Sequence, residues 1–280
     1  MAKASVAKRQ SGTPPPVRRG YFECRYGQLH VYHSMPPGGG FEEGTTLLCL
    51  HETPMTGRMF CGALGLLAHD RSVYAPDLPG YGESDSPSAR PTIQDYAAAI
   101  GDFLDTMRFR QIDVLGSQTG SLIAAELAIA RPAQVRRVVW AAVPALNDSE
   151  REHFLRAPWP AAAAEDGSHL SGEWRRATGA ATQPVALEVA ARRVAESLRN
   201  GPHASWGMHA AVRYPARDRL GLVTQPVLVL RPRDEFWEPT LRVHELLPKA
   251  RIVDLPKHGS GWCEIAPEAL VGAVAEFLRS

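Results

Sequence analysis

Three short, largely apolar runs constrain this chain more than anything else in it. Thr46–Leu50, Ile112–Leu115 and Val227–Leu230 each stop abruptly at polar or turn-forming residues. Runs so short suit strands covered on both faces, where the usual in/out alternation disappears. Between them the period changes to that of a helix. Thr92–Arg108 places Tyr96, Ile100, Phe103, Leu104 and Met107 at helical spacing behind a Thr92 N-cap. Ser121–Ala130 stops before Pro132, and Glu268–Arg279 buries Leu270, Val274, Phe277 and Leu278. Alternating strands and helices predict an α/β fold: a mostly parallel sheet with helices on both faces.

The remaining segments set the domain organisation. Residues 1–19 carry five basic residues, Pro14-Pro15-Pro16 and no acid, which predicts a disordered tail. Tyr21–Arg25 and Leu29–His33 read as a hairpin turning at Tyr26-Gly27-Gln28, and Ser72–Ala75, Val135–Val143 and Arg251–Leu255 as further strands. The core is expected at 20–146 and 224–280. Residues 147–223 contain no strong strand but an amphipathic pattern near Val185–Leu198. An insertion there is expected as a helical cap over the carboxyl ends of the strands, where open α/β sheets bind ligands.

Composition narrows the functions. With 31 Lys+Arg against 30 Asp+Glu, the chain lacks the positive excess that phosphate backbones reward, so nucleic acid is not an expected partner. No apolar run approaches the roughly 20 residues of a membrane span. Cys24, Cys49, Cys61 and Cys263 are far apart, with neither CxxC pairs nor zinc-ligand spacing. They read as reduced thiols of a cytoplasmic protein with no metal. Gly80, Gly82 and Gly116 form no dinucleotide fingerprint, and no cofactor is expected. A small-molecule substrate is; an oligomer is not indicated.

From about Tyr21 to the C-terminus the chain resembles the α/β-hydrolase superfamily. Leu48-Cys49-Leu50-His51-Glu52-Thr53-Pro54 is similar to the strand and His-Gly-x-Pro loop that supplies half of an oxyanion hole. Asp77-Leu78-Pro79-Gly80-Tyr81-Gly82-Glu83-Ser84-Asp85 matches the loop after the next strand. Val114-Leu115-Gly116-Ser117-Gln118-Thr119-Gly120 occupies the place of the nucleophile elbow. The resemblance implies a strand–turn–helix bend at this last segment and an acid after a late strand.

Several positions depart from that pattern. Taking Gly116 and Gly120 as the elbow glycines puts Gln118 where the nucleophile belongs, with Ser117 one residue early and pointing elsewhere. A carboxamide donates and accepts hydrogen bonds but forms no useful acyl intermediate. Anchoring on Pro267 aligns Ser260 with the catalytic histidine, while His258 reaches the site only through a rearranged loop. Arg231-Pro232-Arg233-Asp234-Glu235 supplies the acid, with Asp234 favoured by side-chain length and Glu235 by spacing to Pro239. Either is otherwise a structural carboxylate paired with Arg231 or Arg233. Glu52 replaces the oxyanion-loop glycine; it is either a buried acid holding a proton, turned to solvent, or pinned by an arginine.

The candidate catalytic residues are therefore Gln118, His258, Asp234, Glu235 and Glu52. Thr53 and Thr119 are candidate oxyanion donors, with His51, Ser260, Trp206 and His209 around the substrate. Removing the nucleophile from a serine hydrolase costs on the order of 10⁶ in kcat. What remains suits reactions with an enolate or oxyanion-like transition state and no enzyme nucleophile: decarboxylation, C–C cleavage, elimination, isomerisation or cyclisation of a small, fairly apolar molecule. Two alternatives stand beside this: a hydrolase using directly activated water, and a non-catalytic binder of a small ligand.

Overall fold

In the computed structural model, residues 13–38, 44–156, 163–179 and 186–280 are described. Eight strands form one sheet: β1 (Arg18–Cys24), β2 (Gly27–Ser34), β3 (Thr46–Leu50), β4 (Val73–Pro76), β5 (Ile112–Ser117), β6 (Val135–Ala141), β7 (Val227–Pro232) and β8 (Arg251–Leu255). Their spatial order is β1-β2-β4-β3-β5-β6-β7-β8. The β1–β2 and β2–β4 pairs are antiparallel and all others parallel. The chain order reverses direction between β3 and β5, and such a switch opens a crevice at the strand carboxyl ends.

The sheet is covered on both sides. Along β3, Leu48 and Leu50 enter one core with helices α2 (Ile93–Thr106) and α3 (Thr119–Ala130), as the two-residue strand period requires. Leu47 and Cys49 enter the opposite core, with α1 (Cys61–Leu67) and α12 (Pro267–Arg279). Fully burying one such leucine contributes roughly 1.5–3 kcal/mol. Thr92 caps α2 through a reciprocal box with Asp95, which satisfies otherwise orphaned amides.

Between β6 and β7 run α4 (Asp148–Arg156), α5 (Ser168–Gly179), α6 (Leu187–Arg199), α7 (Trp206–Arg213) and α8 (Ala216–Leu220). The short helices α9 (Trp237–Leu241) and α10 (Val243–Leu246) follow β7, and α11 (Trp262–Ile265) precedes α12. The amphipathic stretch predicted near Val185–Leu198 is α6, although Val185 itself lies outside the described residues. Helix α6 docks on the sheet domain through charged pairs: Arg58 with Glu196, Arg199 with Glu83, and Arg193 with Glu52.

Two boundary expectations are corrected. The basic tail does not extend to residue 19: Ser34 Oγ donates to the Pro15 carbonyl at 3.2 Å, and Arg18–Cys24 is a strand paired with β2. Residues 1–12 of that expected tail lie outside the described residues. The hairpin turns one residue early, at Arg25-Tyr26, because Gly27 already pairs with Cys24. Among the described residues, no helix is long and apolar enough to cross a membrane.

Candidate active site

The site is built where β3, β5 and β7 end. After β5 the chain bends sharply at Gln118, whose φ of 47° and ψ of −111° lie in a region that side-chain-bearing residues rarely adopt. The flanking glycines make this bend possible. A Cβ on Gly116 would lie 2.1 Å from the Gly120 carbonyl oxygen, and one on Gly120 would lie 2.1 Å from that of Leu50. Helix α3 therefore starts in direct contact with β3 and β5, and residue 118 occupies the apex.

Ser117 faces the other way, as strand alternation predicts. Its Oγ donates to Glu52 Oε2 at 3.0 Å in the buried interior. Gln118 is also buried, and its Nε2 donates to Asp234 Oδ2 at 3.3 Å and to Glu235 Oε1 at 3.2 Å. The loop after β7 thus delivers both acids rather than one. Asp234 is held by the Phe236 amide, which donates to its Oδ1 at 2.9 Å. Arg231, one of the two expected structural partners, instead binds Asp254 at 3.0 Å and lies over the Trp237 ring.

Two carboxyls so close cannot both ionise easily. Burial, and then the neighbouring charge of Glu235, push Asp234 well above the ordinary carboxylate range. Glu235 is raised in the same direction by burial, with the charge of Glu52 adding and Arg193 opposing. Glu235 keeps surface open to water although protein surrounds it. The larger shift accordingly belongs to the half-buried Asp234.

The loop after β3 lies against the bend. Thr53 Oγ1 and Thr119 Oγ1 are 2.9 Å apart, which places the start of α3 beside the loop. Among the described residues, neither the Thr53 nor the Thr119 backbone N–H has a hydrogen-bond acceptor. Glu52 is the arginine-pinned alternative of the three considered. Its Oε1 accepts from Arg193 Nη2 at 2.6 Å and its Oε2 from Ser117. Sequence reading missed Arg193, 141 positions away; the only signal was an arginine pair inside the amphipathic stretch of α6.

Other expected site residues are placed elsewhere. His51 is completely buried: Leu78 N–H donates to its Nε2 at 2.8 Å, and its Nδ1 donates to the Glu52 carbonyl at 2.9 Å. Burial lowers its pKa, so it is a neutral brace between two loops rather than a substrate ligand. His258 tilts against the Trp262 ring, 5.6 Å between centroids, and among the described residues its ring has no hydrogen bond to Gln118, Asp234 or Glu235. The turn after β8 holds its carbonyl under Arg233 N–H at 2.6 Å. Ser260 lies half-buried in that turn, likewise unjoined to the acids.

Helix α7 begins beside the site, since a Cβ on Gly207 would lie 2.4 Å from Thr53 Cγ2. The neighbouring Trp206 ring nevertheless packs on His203, with centroids 4.3 Å apart. His209 is bonded to Arg213 and lines a separate groove. Burial holds the Cys263 thiol well above its ordinary pKa, and Cys61 is raised to about 11 by burial, so neither thiol is activated.

An eight-stranded sheet of this order, with a loop–bend–acid constellation on its β3, β5 and β7 ends, defines an α/β-hydrolase fold. The chain belongs to the Alpha/beta hydrolase family, whose pattern matches residues 37–273. An uncharacterized hydrolase of Saccharomyces cerevisiae is 30% identical over 95 residues, 34% of this chain and 33% of that protein. The 2-hydroxymuconate semialdehyde hydrolase of Pseudomonas sp. (strain CF600) is 39% identical over 77 residues, 26% of each chain. The chain thus spans about a third or less of the length of these curated relatives. Across nearly its whole length it superposes on Cfl2 from Burkholderia cenocepacia, with a TM-score of 0.76 at 20% identity, covering 94% of this chain and 96% of that one.

Proposed function

We propose that the protein is a cofactor-independent enzyme of the α/β-hydrolase fold, working by acid–base chemistry without a covalent acyl intermediate. Its substrate is a small, fairly apolar molecule bearing a carbonyl-type oxygen. The reaction class is decarboxylation, C–C cleavage, elimination, isomerisation or cyclisation. One observation carries this reading: residue 118, at the apex of the bend, is a carboxamide bonded to two acids, while the adjacent hydroxyl is committed to Glu52. A carboxamide at that apex cannot be acylated usefully.

Each group then has a role. The unpaired N–H groups of Thr53 and Thr119 donate to the substrate oxygen as negative charge develops on it. Asp234 and Glu235, with one proton shared at elevated pKa, take a proton from the substrate and return one as charge is relieved. Gln118 fixes both carboxyls and, by donating to them, holds their oxygens in place. The helices between β6 and β7 act as a cap, tied down by Arg193 and Glu52. His258 and Ser260 have no part in this scheme.

A second reading is kept on a specific observation: Glu235 is open to water, and the matched Pseudomonas relative is named a hydrolase. Here the same pair activates water directly. Labelled oxygen from solvent entering the product marks that route; product free of label marks the first.

The deciding experiment uses a fluorophosphonate probe followed by mass spectrometry, then a panel of β-keto acids and enolisable ketones followed by proton NMR in D₂O. The expected results are no covalent adduct, and turnover or deuterium exchange that is lost in Asp234→Asn and Glu235→Gln. A stoichiometric adduct on Ser117 overturns the proposal.

A further inference from the structure

Several surface arginines are neutralised by carboxylates. Arg219 forks onto Glu126 at 2.7 and 2.8 Å, Arg131 onto Asp105 at 2.6 Å, and Arg242 onto Glu150 at 2.6 and 2.7 Å. Arg90 and Arg213 differ. Among the described residues neither has a carboxylate partner, and both line one groove of about 320 Å³ between the start of α2 and α7. That volume is at the lower end of the range for small-molecule sites.

The groove combines these charges with apolar walls. Pro91, Ile93 and Ala210 are buried residues along it. Arg213 Nη1 lies 3.1 Å from His209 Nδ1, so the guanidinium donates and the imidazole accepts, leaving the ring proton on Nε2. Burial, and then the charges of Arg90 and Arg213, hold the His209 pKa below its ordinary value. The nearby acids are already engaged. Asp95 accepts from Thr92 in the helix cap, and Glu126, reached by Gln94 and Tyr214, is matched by Arg219. The cap satisfies the Thr92 and Asp95 amides at the start of α2.

We propose that this groove is a second, non-catalytic binding site for an organic anion of about benzoate size. The anion's carboxylate sits between Arg90 and Arg213, and its apolar body lies along Pro91, Ile93 and Ala210. Paired guanidinium groups match the planar oxygens of a carboxylate in geometry as well as charge. The site is independent of Gln118 and of the acid pair.

The probes are benzoate, cyclohexanol and inorganic phosphate, added to the full chain, with the His209 ring followed by NMR across pH. Bound carboxylate offsets the two positive charges, so saturating benzoate is expected to raise the His209 pKa. Cyclohexanol, lacking charge, leaves it unmoved, and phosphate, lacking an apolar body, binds at least about tenfold more weakly than benzoate. Arg90→Gln and Arg213→Gln each weaken benzoate about tenfold or more with the melting temperature unchanged, since neither arginine holds an ion pair; Gln118→Ala leaves binding intact. The proposal is overturned if benzoate fails to move His209, if the shift survives both arginine substitutions, or if cyclohexanol or phosphate matches benzoate.

Discussion

Ser117 Oγ lies 3.0 Å from Glu52 Oε2, on the buried side of the bend whose apex is Gln118. A hydroxyl in that position braces the β3 loop against β5. It donates to an acceptor already held by Arg193, and among the described residues no imidazole is bonded to it to take its proton. Ser117→Ala is therefore expected to destabilise the protein by about 1.5–3 kcal/mol, the value of a hydrogen bond to a charged group. It should leave turnover within about tenfold of the parent, against the factor of roughly 10⁶ that loss of a serine nucleophile costs. Steady-state kinetics beside urea denaturation separate the two outcomes.

The acid pair makes stability depend on pH in a stated direction. Asp234 is raised well above the ordinary carboxylate range in the folded state, so the folded chain holds a proton where the unfolded chain has released it. Stability is then greatest below the unfolded carboxylate pKa, near 4. It falls as pH rises from there through the elevated folded value, and levels off beyond. Asp234→Asn removes the proton-dependent part. The variant is expected to melt higher than the parent at pH 8 and to differ little at pH 4. Thermal melts at the two pH values test this, and equal differences at both exclude it.

Arg193 and Glu52 form a pair that is nearly dry, and such pairs are costly to break from one side. Arg193→Met strands the carboxylate beneath α6 and is expected to cost about 3–5 kcal/mol. The double variant with Glu52→Gln should be more stable than Arg193→Met alone, because no uncompensated charge remains. A double-mutant cycle by chemical denaturation reads the coupling; simple additivity of the two losses would show that the pair contributes nothing as a pair.

What the sequence disclosed and what it hid follow the range of the interactions involved. Thr46–Leu50 and Ile112–Leu115 were legible because burial on both faces leaves a largely apolar run, and Thr92 because its partner Asp95 is three residues away. The apex at Gln118 was legible because Gly116 and Gly120 are required by backbone contacts that no Cβ permits. Long-range pairings left no such mark. Nothing local distinguishes Arg193 from the solvent-facing arginines of an amphipathic helix, or tells that Asp234 and Glu235 both turn toward one carboxamide. Pro14–Pro16 reads as tail, yet the Pro15 carbonyl accepts from Ser34 and passes so near α1 that a Cβ on Gly65 would lie 2.8 Å from it.

The backbone at residue 118 supplies a test that does not need a substrate. A left-handed φ of 47° with ψ of −111° costs a side-chain-bearing residue about 1–3 kcal/mol, and the cost persists only because the Gly116 and Gly120 contacts force the bend. Gln118→Ala and Gln118→Gly both delete the carboxamide and its bonds to Asp234 and Glu235. They differ only in whether a Cβ must be held in the unfavourable region. In an ordinary helix or strand, glycine would be the less stable of the two by roughly 0.5–1 kcal/mol. Here the order is expected to invert, with Gln118→Gly more stable than Gln118→Ala by about 1–2 kcal/mol. Both should lose turnover to the same extent, because the carboxamide and not the strain holds the acid pair. Chemical denaturation of the two variants measures the inversion directly, and alanine proving the more stable would show that residue 118 is not held at a strained apex.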